Sequence, residues 1–143
     1  MGVITDVFAA TNEEIQDFDP EAYVGDLFPT LQSNGGAGVI ELAALESLLT
    51  GRDENEILGN YELAVEVSEE GPWITRVPMP LQDALIELDE VGLDEIAQRW
   101  SKTDQFKHYD WSDEDIANVL RGLWSLARQA RDDGRVLFVL NAA

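Results

Sequence analysis

Apolar residues recur at two spacings in this sequence, and each predicts a different element. The opening run Val3 to Ala9 (VITDVFA) is β-branched and apolar enough for a strand. Thr11 then caps a short helical turn through Asn12, Glu13, Glu14 and Ile15, whose acids sit at the positive end of its dipole. Asp19-Pro20 interrupts it. Residues 29–38 (PTLQSNGGAG) carry glycine at 35, 36 and 38 and are expected to be an irregular, flexible connection. They lack the Lys-Ser/Thr ending of a phosphate loop and the G-x-G-x-x-G spacing of a dinucleotide site. Leu42, Leu45 and Leu49 stand at i, i+3 and i+7, which predicts a helix from about Val39 to Thr50 with Gly51 as its left-handed cap.

Arg52 to Asn60 reads as a charged connection with one helical turn around Glu56 to Leu58. Its acids lack the alternation and central Gly of a calcium loop. Strand spacing takes over at Tyr61: Tyr61, Leu63, Val65 and Val67 alternate with Glu62, Ala64 and Glu66. Residues 68–72 (SEEGP) are turn chemistry, and Trp73 to Val77 can return as the antiparallel partner. After Pro78 and Pro80 the helical spacing resumes. Leu81, Leu85 and Leu88 form one stripe, Leu93, Ile96, Ala97 and Trp100 another, with Asp89 to Gly92 as the expected break. Ser112 caps the last helix, Asp113, Glu114 and Asp115 fill its first turn, and Ile116, Val119, Leu120, Leu123, Ala127 and Ala130 make its apolar face. Gly122 inside it predicts a closely packed neighbour, and Gly134 ends it. Arg135 to Leu140 (RVLFVL) is a buried strand by its continuous apolar run.

Strands and helices therefore intersperse without regular βαβ spacing. The expected fold is a single α+β domain over residues 1–143, with a small mixed or antiparallel sheet whose N- and C-terminal strands pair centrally. The 61–77 hairpin extends or flanks that sheet, and helices near 39–50, 81–101 and 112–132 pack mainly on one face.

Composition narrows the function classes. The sequence has 143 residues, 45% of them hydrophobic, which suits one folded core rather than a disordered chain. Without cysteine there is no disulfide framework, thiol nucleophile or thiolate metal site, and a single His rules out a multi-histidine site. With 29 acidic against 9 basic residues the net charge is −20, which excludes binding to nucleic acid or anionic membranes through a basic patch. No apolar stretch reaches membrane length and no basic leader opens the sequence, so a cytoplasmic protein is expected. The charge is uneven. Residues 1–72 hold 16 acids and one base, a net of −15, whereas residues 73–143 hold 13 acids and 8 bases, a net of −5. Solvated faces, a negative surface for a basic partner, a nucleic-acid mimic and adaptation to a salty milieu all remain open readings.

Candidate chemistry is sparse. His108 lies in the sequence His108-Tyr109-Asp110-Trp111, a polar-aromatic loop that is the one candidate pocket, where an imidazole could act as a general base or proton switch. No G-x-S-x-G accompanies it, and a surface histidine without a role is the heavier reading. With so many acids, no carboxylate pair is informative; Glu41 and Glu46 are five residues apart, and no acid is singled out by an apolar setting. Trp73, Trp100 and Trp124 read as core packing, and Trp111 as a staple on Ile116. No catalytic, cofactor-binding or metal-ligating residue is assigned.

Several of these segments together resemble the YfbM-like family of small uncharacterised bacterial proteins. The likeness runs through Met1-Gly2 before the first strand, Leu45 and Leu48-Leu49-Thr50-Gly51 at a helix end, Ile96, Trp111, then Ala127, Ala130, Gly134 and a closing apolar strand. Leu42 and Glu46 stand where that family usually carries Trp and His, and the 61–77 hairpin has no counterpart. The resemblance implies an α+β fold and transfers no activity or catalytic residue. The expected function is that of a non-enzymatic acidic binding or regulatory module, immunity-like, for a basic protein partner. The alternatives are a small hydrolase or ligand-binding protein using carboxylates or His108, and a nucleic-acid mimic. The hairpin edge also offers a route to a homodimer.

Overall fold

A computed structural model describes residues 4–18, 27–32, 38–66, 69, 72–103 and 112–142. In chain order its elements are β1 (Ile4–Ala10), α1 (Asn12–Gln16), β2 (Thr30–Gln32), α2 (Val39–Thr50), α3 (Glu54–Leu58), β3 (Glu62–Glu66), β4 (Trp73–Arg76), α4 (Met79–Glu87), α5 (Glu90–Ser101), α6 (Asp113–Asp132) and β5 (Val136–Ala142). The strands make one antiparallel sheet in the order β2-β1-β5-β4-β3. β1 and β5 pair along their whole lengths, from Ile4 opposite Ala142 to Ala10 opposite Val136, and the β3–β4 hairpin extends the sheet beyond β5. The α+β class, the central pairing of the first and last strands, and the extending hairpin are as the sequence predicts.

Strand parity divides the core in two. Val7, Ala9, Leu137 and Val139 point to the helical side, where they join Leu42 and Leu45 of α2, Leu81 and Leu85 of α4, Trp100 of α5 and Leu120 and Leu123 of α6. Phe8, Ala10, Phe138 and Leu140 point the other way, onto Ile74 and Ile15 of α1, with Phe18 and Phe28 at the margin. The Phe8 ring stacks between Phe28 and Phe138 at centroid distances of 5.4 and 5.7 Å. Both faces of β5 are covered, which is why its sequence is apolar without alternation. Full burial of side chains of this size contributes about 1.5–3 kcal/mol each.

Polar side chains close the gaps that apolar packing leaves. The buried Gln82 amide of α4 accepts from Leu137 N–H at 3.2 Å and donates to the Arg135 carbonyl at 3.3 Å. It thereby continues the β5 ladder past the end of β4, imitating a peptide. At the end of α4, Trp124 Nε1 donates to the Leu88 carbonyl at 2.9 Å, and the Arg128 guanidinium donates to Ile86 and Leu88 at 3.2 Å each. That guanidinium also lies 4.1 Å over the Trp124 ring, so one pair of α6 side chains satisfies a helix end and packs on itself. Trp100 Nε1, fully buried, ties α5 to the Glu41 carbonyl of α2 at 2.9 Å. Thr11 and Ser112 form the anticipated caps, each in a reciprocal capping box with Glu14 or Asp115. Gly51 and Gly134 adopt φ of 77° and 70°, as left-handed helix ends require.

Four expectations need correction. The connection 29–38 contains strand β2, which is too short for an alternation pattern to announce and pairs through Val7 opposite Leu31. Gly92 does not separate helices: it lies in the first turn of α5, where its N–H donates to the Asp89 cap at 2.7 Å, and the break falls at Leu88 and Asp89, both extended. Tyr61 precedes β3 rather than opening it. Within β3, Leu63 pairs with Thr75 and Val65 with Ile74, so a bulge at Ala64 sends Leu63 and Val65 to opposite faces. The close neighbour implied by Gly122 is Leu31 of β2, whose Cδ1 would lie 2.7 Å from an added Cβ.

The Gln82 bridge makes a direct test. Gln82→Leu keeps the side-chain bulk but leaves the Leu137 N–H and the Arg135 carbonyl without this partner, at about 1–3 kcal/mol for each buried group. We expect urea denaturation to show a loss of roughly 2–4 kcal/mol.

Candidate functional site

The loop singled out for chemistry, His108, Tyr109, Asp110 and Trp111, lies outside the described residues, as does the proposed packing of Trp111 on Ile116. The remaining candidates are the buried polar groups, the surface grooves and the open edges of the sheet.

Asp6, Glu41, Glu46 and Gln82 are the buried polar and charged residues among those described. Gln82 is spent on β5. Asp6 shares the Phe8 face of β1, its Oδ2 has no hydrogen-bond partner, and burial raises its pKa. Glu46 is 0% exposed and neither carboxyl oxygen has a hydrogen-bond partner. Burial raises its pKa, with the Arg52 charge working against that rise. The Tyr61 hydroxyl is also buried without a partner, and burial together with the Glu46 charge pushes its pKa up. The absence of an acid in an apolar setting, expected from the sequence, is therefore overturned at two positions. A signal for Glu46 was present: Leu42, Leu45, Glu46 and Leu49 fall at i, i+3, i+4 and i+7, so Glu46 occupies a core position of the helix.

A groove of about 500 Å³ runs between β2 and α6, lined by Thr30, Leu31, Gly122, Ser125, Leu126 and Gln129. Its polar lining is hydroxyl and amide, with no titratable group to act as acid, base or nucleophile. A second hollow of about 320 Å³ is bounded by Thr11, Asn12, Glu13, Gly134 and Val136, and carries one carboxylate. Among the described residues no three His, Asp or Glu side chains converge as a metal site would require. No helix among them is long and apolar enough to cross a membrane.

The sheet edge at β3 is different in kind. It is hydrogen-bonded on one side to β4 and, among the described residues, has no strand on the other. Glu62, Leu63, Ala64 and Glu66 are exposed, Leu63 by 54%. Register places Glu62 on the Phe138 face, opposite Arg76, and Glu66 on the helical face, opposite Trp73, so carboxylates flank the edge from both sides. α3, whose Asp53 cap and Glu56 are exposed, leads into this strand, and α1, with exposed Glu13 and Asp17, lies against it. Exposed acids also occur on α4, α5 and α6, so the division of charge along the sequence is not a division of exposed carboxylates between elements.

Five of the six arginines of the second half are engaged internally. Arg76 meets Glu62 at 3.6 Å, Arg121 meets Asp94 at 2.9 Å, Arg131 meets Asp132 at 3.6 Å, and Arg128 caps α4. Arg135 reaches Glu14 at 3.2 Å and Asp133 at 3.7 Å.

No protein-family model, curated protein or solved structure matches this chain. The resemblance to the YfbM-like family rests on the quoted residues alone.

The Glu14 carboxylate has a pH signature. Its pKa is lowered first by the Thr11 backbone hydrogen bond, with burial working against this and Arg135 adding to it. A depressed folded pKa stabilises above the unfolded value and is lost as pH falls through the folded one. We expect Glu14→Gln to lower the urea midpoint at neutral pH, the gap from the parent protein narrowing below pH 4.5 and closing beneath the depressed value.

Proposed function

We propose that this protein is a non-enzymatic acidic binding module of the cytoplasm, immunity-like or regulatory, that takes a basic protein partner. The observation carrying this reading is the β3 edge, unpaired among the described residues, flanked on both faces by Glu62 and Glu66 and bearing the exposed Leu63. An extended segment can add to such an edge through backbone hydrogen bonds, with its side chains reading the flanking residues. Lysines or arginines alternating to both sides of the incoming strand would meet a carboxylate on each face. Leu63 supplies an apolar contact that a purely electrostatic surface lacks.

The same edge disfavours a second copy of the chain. Two β3 strands paired about a two-fold axis would bring Glu62 and Glu66 of each against those of the other, and like charges across a ladder destabilise it. The bulge at Ala64 further interrupts the flat ladder that self-pairing needs. A nucleic-acid mimic presents carboxylates in regular succession along one surface, whereas here the bulge splits them between faces. The hydrolase or ligand-binding reading depends on carboxylates or on His108, which lies outside the described residues.

Capture from a native lysate at low salt, followed by elution with rising salt, checks the reading. The expected partner is a basic protein whose association weakens steeply with ionic strength. The double variant Glu62→Lys, Glu66→Lys should lose binding by about tenfold or more while keeping its fold, since both side chains are exposed and the Arg76–Glu62 pair it gives up is a weak surface contact. Partners held equally at high salt, or indifferent to the charge reversal, would contradict it.

A further inference from the structure

Glu46 poses a problem of physical chemistry that no contact in the fold solves. The side chain is 0% exposed, and both oxygens lack a hydrogen-bond partner. It projects from α2 amid a stripe in which Leu42 and Leu45 are buried, and the buried, equally unpartnered hydroxyl of Tyr61 lies near enough to feel its charge. An ionised carboxylate without hydrogen bonds is among the costliest groups to bury, and such a group neutralises instead. A carboxylic acid in the same place loses only the solvation of a neutral polar group. We propose that Glu46 is held as the neutral acid in the folded protein at pH values where the exposed glutamates are already ionised, a proton-linked latch that fixes the corner between α2, α3 and the root of β3.

The surroundings support this placement from each side. α2 packs against α3, α4 and α5. The connection after α2 contributes Arg52, an exposed residue whose charge favours the ionised form without contacting it as an ion pair within hydrogen-bonding range. The segment before β3 contributes Tyr61, and α2 itself contributes Glu41, five residues earlier. On α3, Glu54 is half-buried and Glu56 exposed; on α4, Asp83 and Glu87 are exposed; on α5, Glu90, Asp94, Glu95 and Arg99 are exposed. Those on α3 and α4 are all acids, and acids predominate on α5, but the charge that acts on Glu46 is Arg52, so burial is what disfavours its ionisation. Ionisation would force the carboxylate toward water. α3 packs on α2 beside it, is five residues long and is held in the core through Ile57, so the segment Arg52 to Tyr61 would have to shift.

The latch predicts a definite sign. A carboxyl favoured as the acid in the folded state adds stability that is complete below the unfolded value of 4.5 and is lost as pH rises through the folded value. Glu46→Gln imitates the neutral acid permanently. Relative to that variant, the folding equilibrium constant of the parent protein should fall about tenfold for each pH unit across this window and then level off. Asp6 acts in the same direction, so the parent's dependence on pH shrinks further in the double variant Asp6→Asn, Glu46→Gln.

The decisive measurement uses the unmodified chain, so it does not depend on any variant folding. A carbon-13 titration of the glutamate Cδ resonances, with Glu46 assigned through its own spin system, should show Glu46 titrating well above the exposed glutamates. Backbone amides from Arg52 to Glu62 should shift with the same midpoint. Glu46 titrating with the exposed glutamates, or parallel stability profiles for the parent and Glu46→Gln, would overturn the proposal. Neither readout involves a binding partner, so the latch stands or falls separately from the proposed function.

Discussion

Everything else in this molecule hangs on the antiparallel pairing of β1 with β5. Seven residues of each strand are matched across the ladder, joining segments more than a hundred residues apart. The register fixes which side chains face the helices and which face the Phe8 cluster, and a slip by one residue would exchange the two sets. With Val7 opposite Val139 and Phe8 opposite Phe138, both faces are filled by apolar residues from both strands. β2 and β4 can then add at the flanks, and the helices have a surface to cover. The entropy cost of closing so long a loop grows slowly with length, so burial on two faces is enough to offset it.

From that centre outward the construction becomes progressively more polar. Gln82 repairs the ladder where β4 stops, Arg128 and Trp124 finish α4, and Arg135 joins β5 to the capping box of α1. Each uses a side chain to satisfy backbone or charge that the regular elements leave open. At β3 this provision ends. Among the described residues its outer edge carries no further strand and is marked by carboxylates on both faces, which deters pairing with another acidic edge. The buried acids Asp6 and Glu46 belong to the interior and are not part of what a partner meets.

How far the sequence could be read depended on how many residues repeated each signal. The 20 residues of α6 repeat theirs over several turns, and its cap, its apolar face and its terminal glycine were all readable. The continuous run of β5 announced burial, although only the register explains it by showing two cores. β2 has three residues and gave no period to detect, and the bulge at Ala64 is invisible to a count of alternating residues because it adds a residue without changing its type. Glu46 was hidden by abundance. Among 29 acids its helical position was the distinguishing mark, and that mark gains meaning once α3 and Tyr61 are folded over it. Gln82 carried no signal at all, since its role depends on where β4 ends relative to β5. The loop containing His108 lies outside the described residues, and the chemistry suggested for it remains a reading of sequence.

Amide hydrogen exchange on the free protein examines the whole arrangement at once. If the β1–β5 pair is the structural centre and β3 an open edge, amides of β1 and β5 exchange slowest, at the rate set by global unfolding, while those of β3 that face away from β4 exchange rapidly. Protection of β3 equal to that of β5 would mean that the edge is already covered. Exchange in β5 as fast as in the hairpin would mean that the centre lies elsewhere, and either result would contradict the account given above.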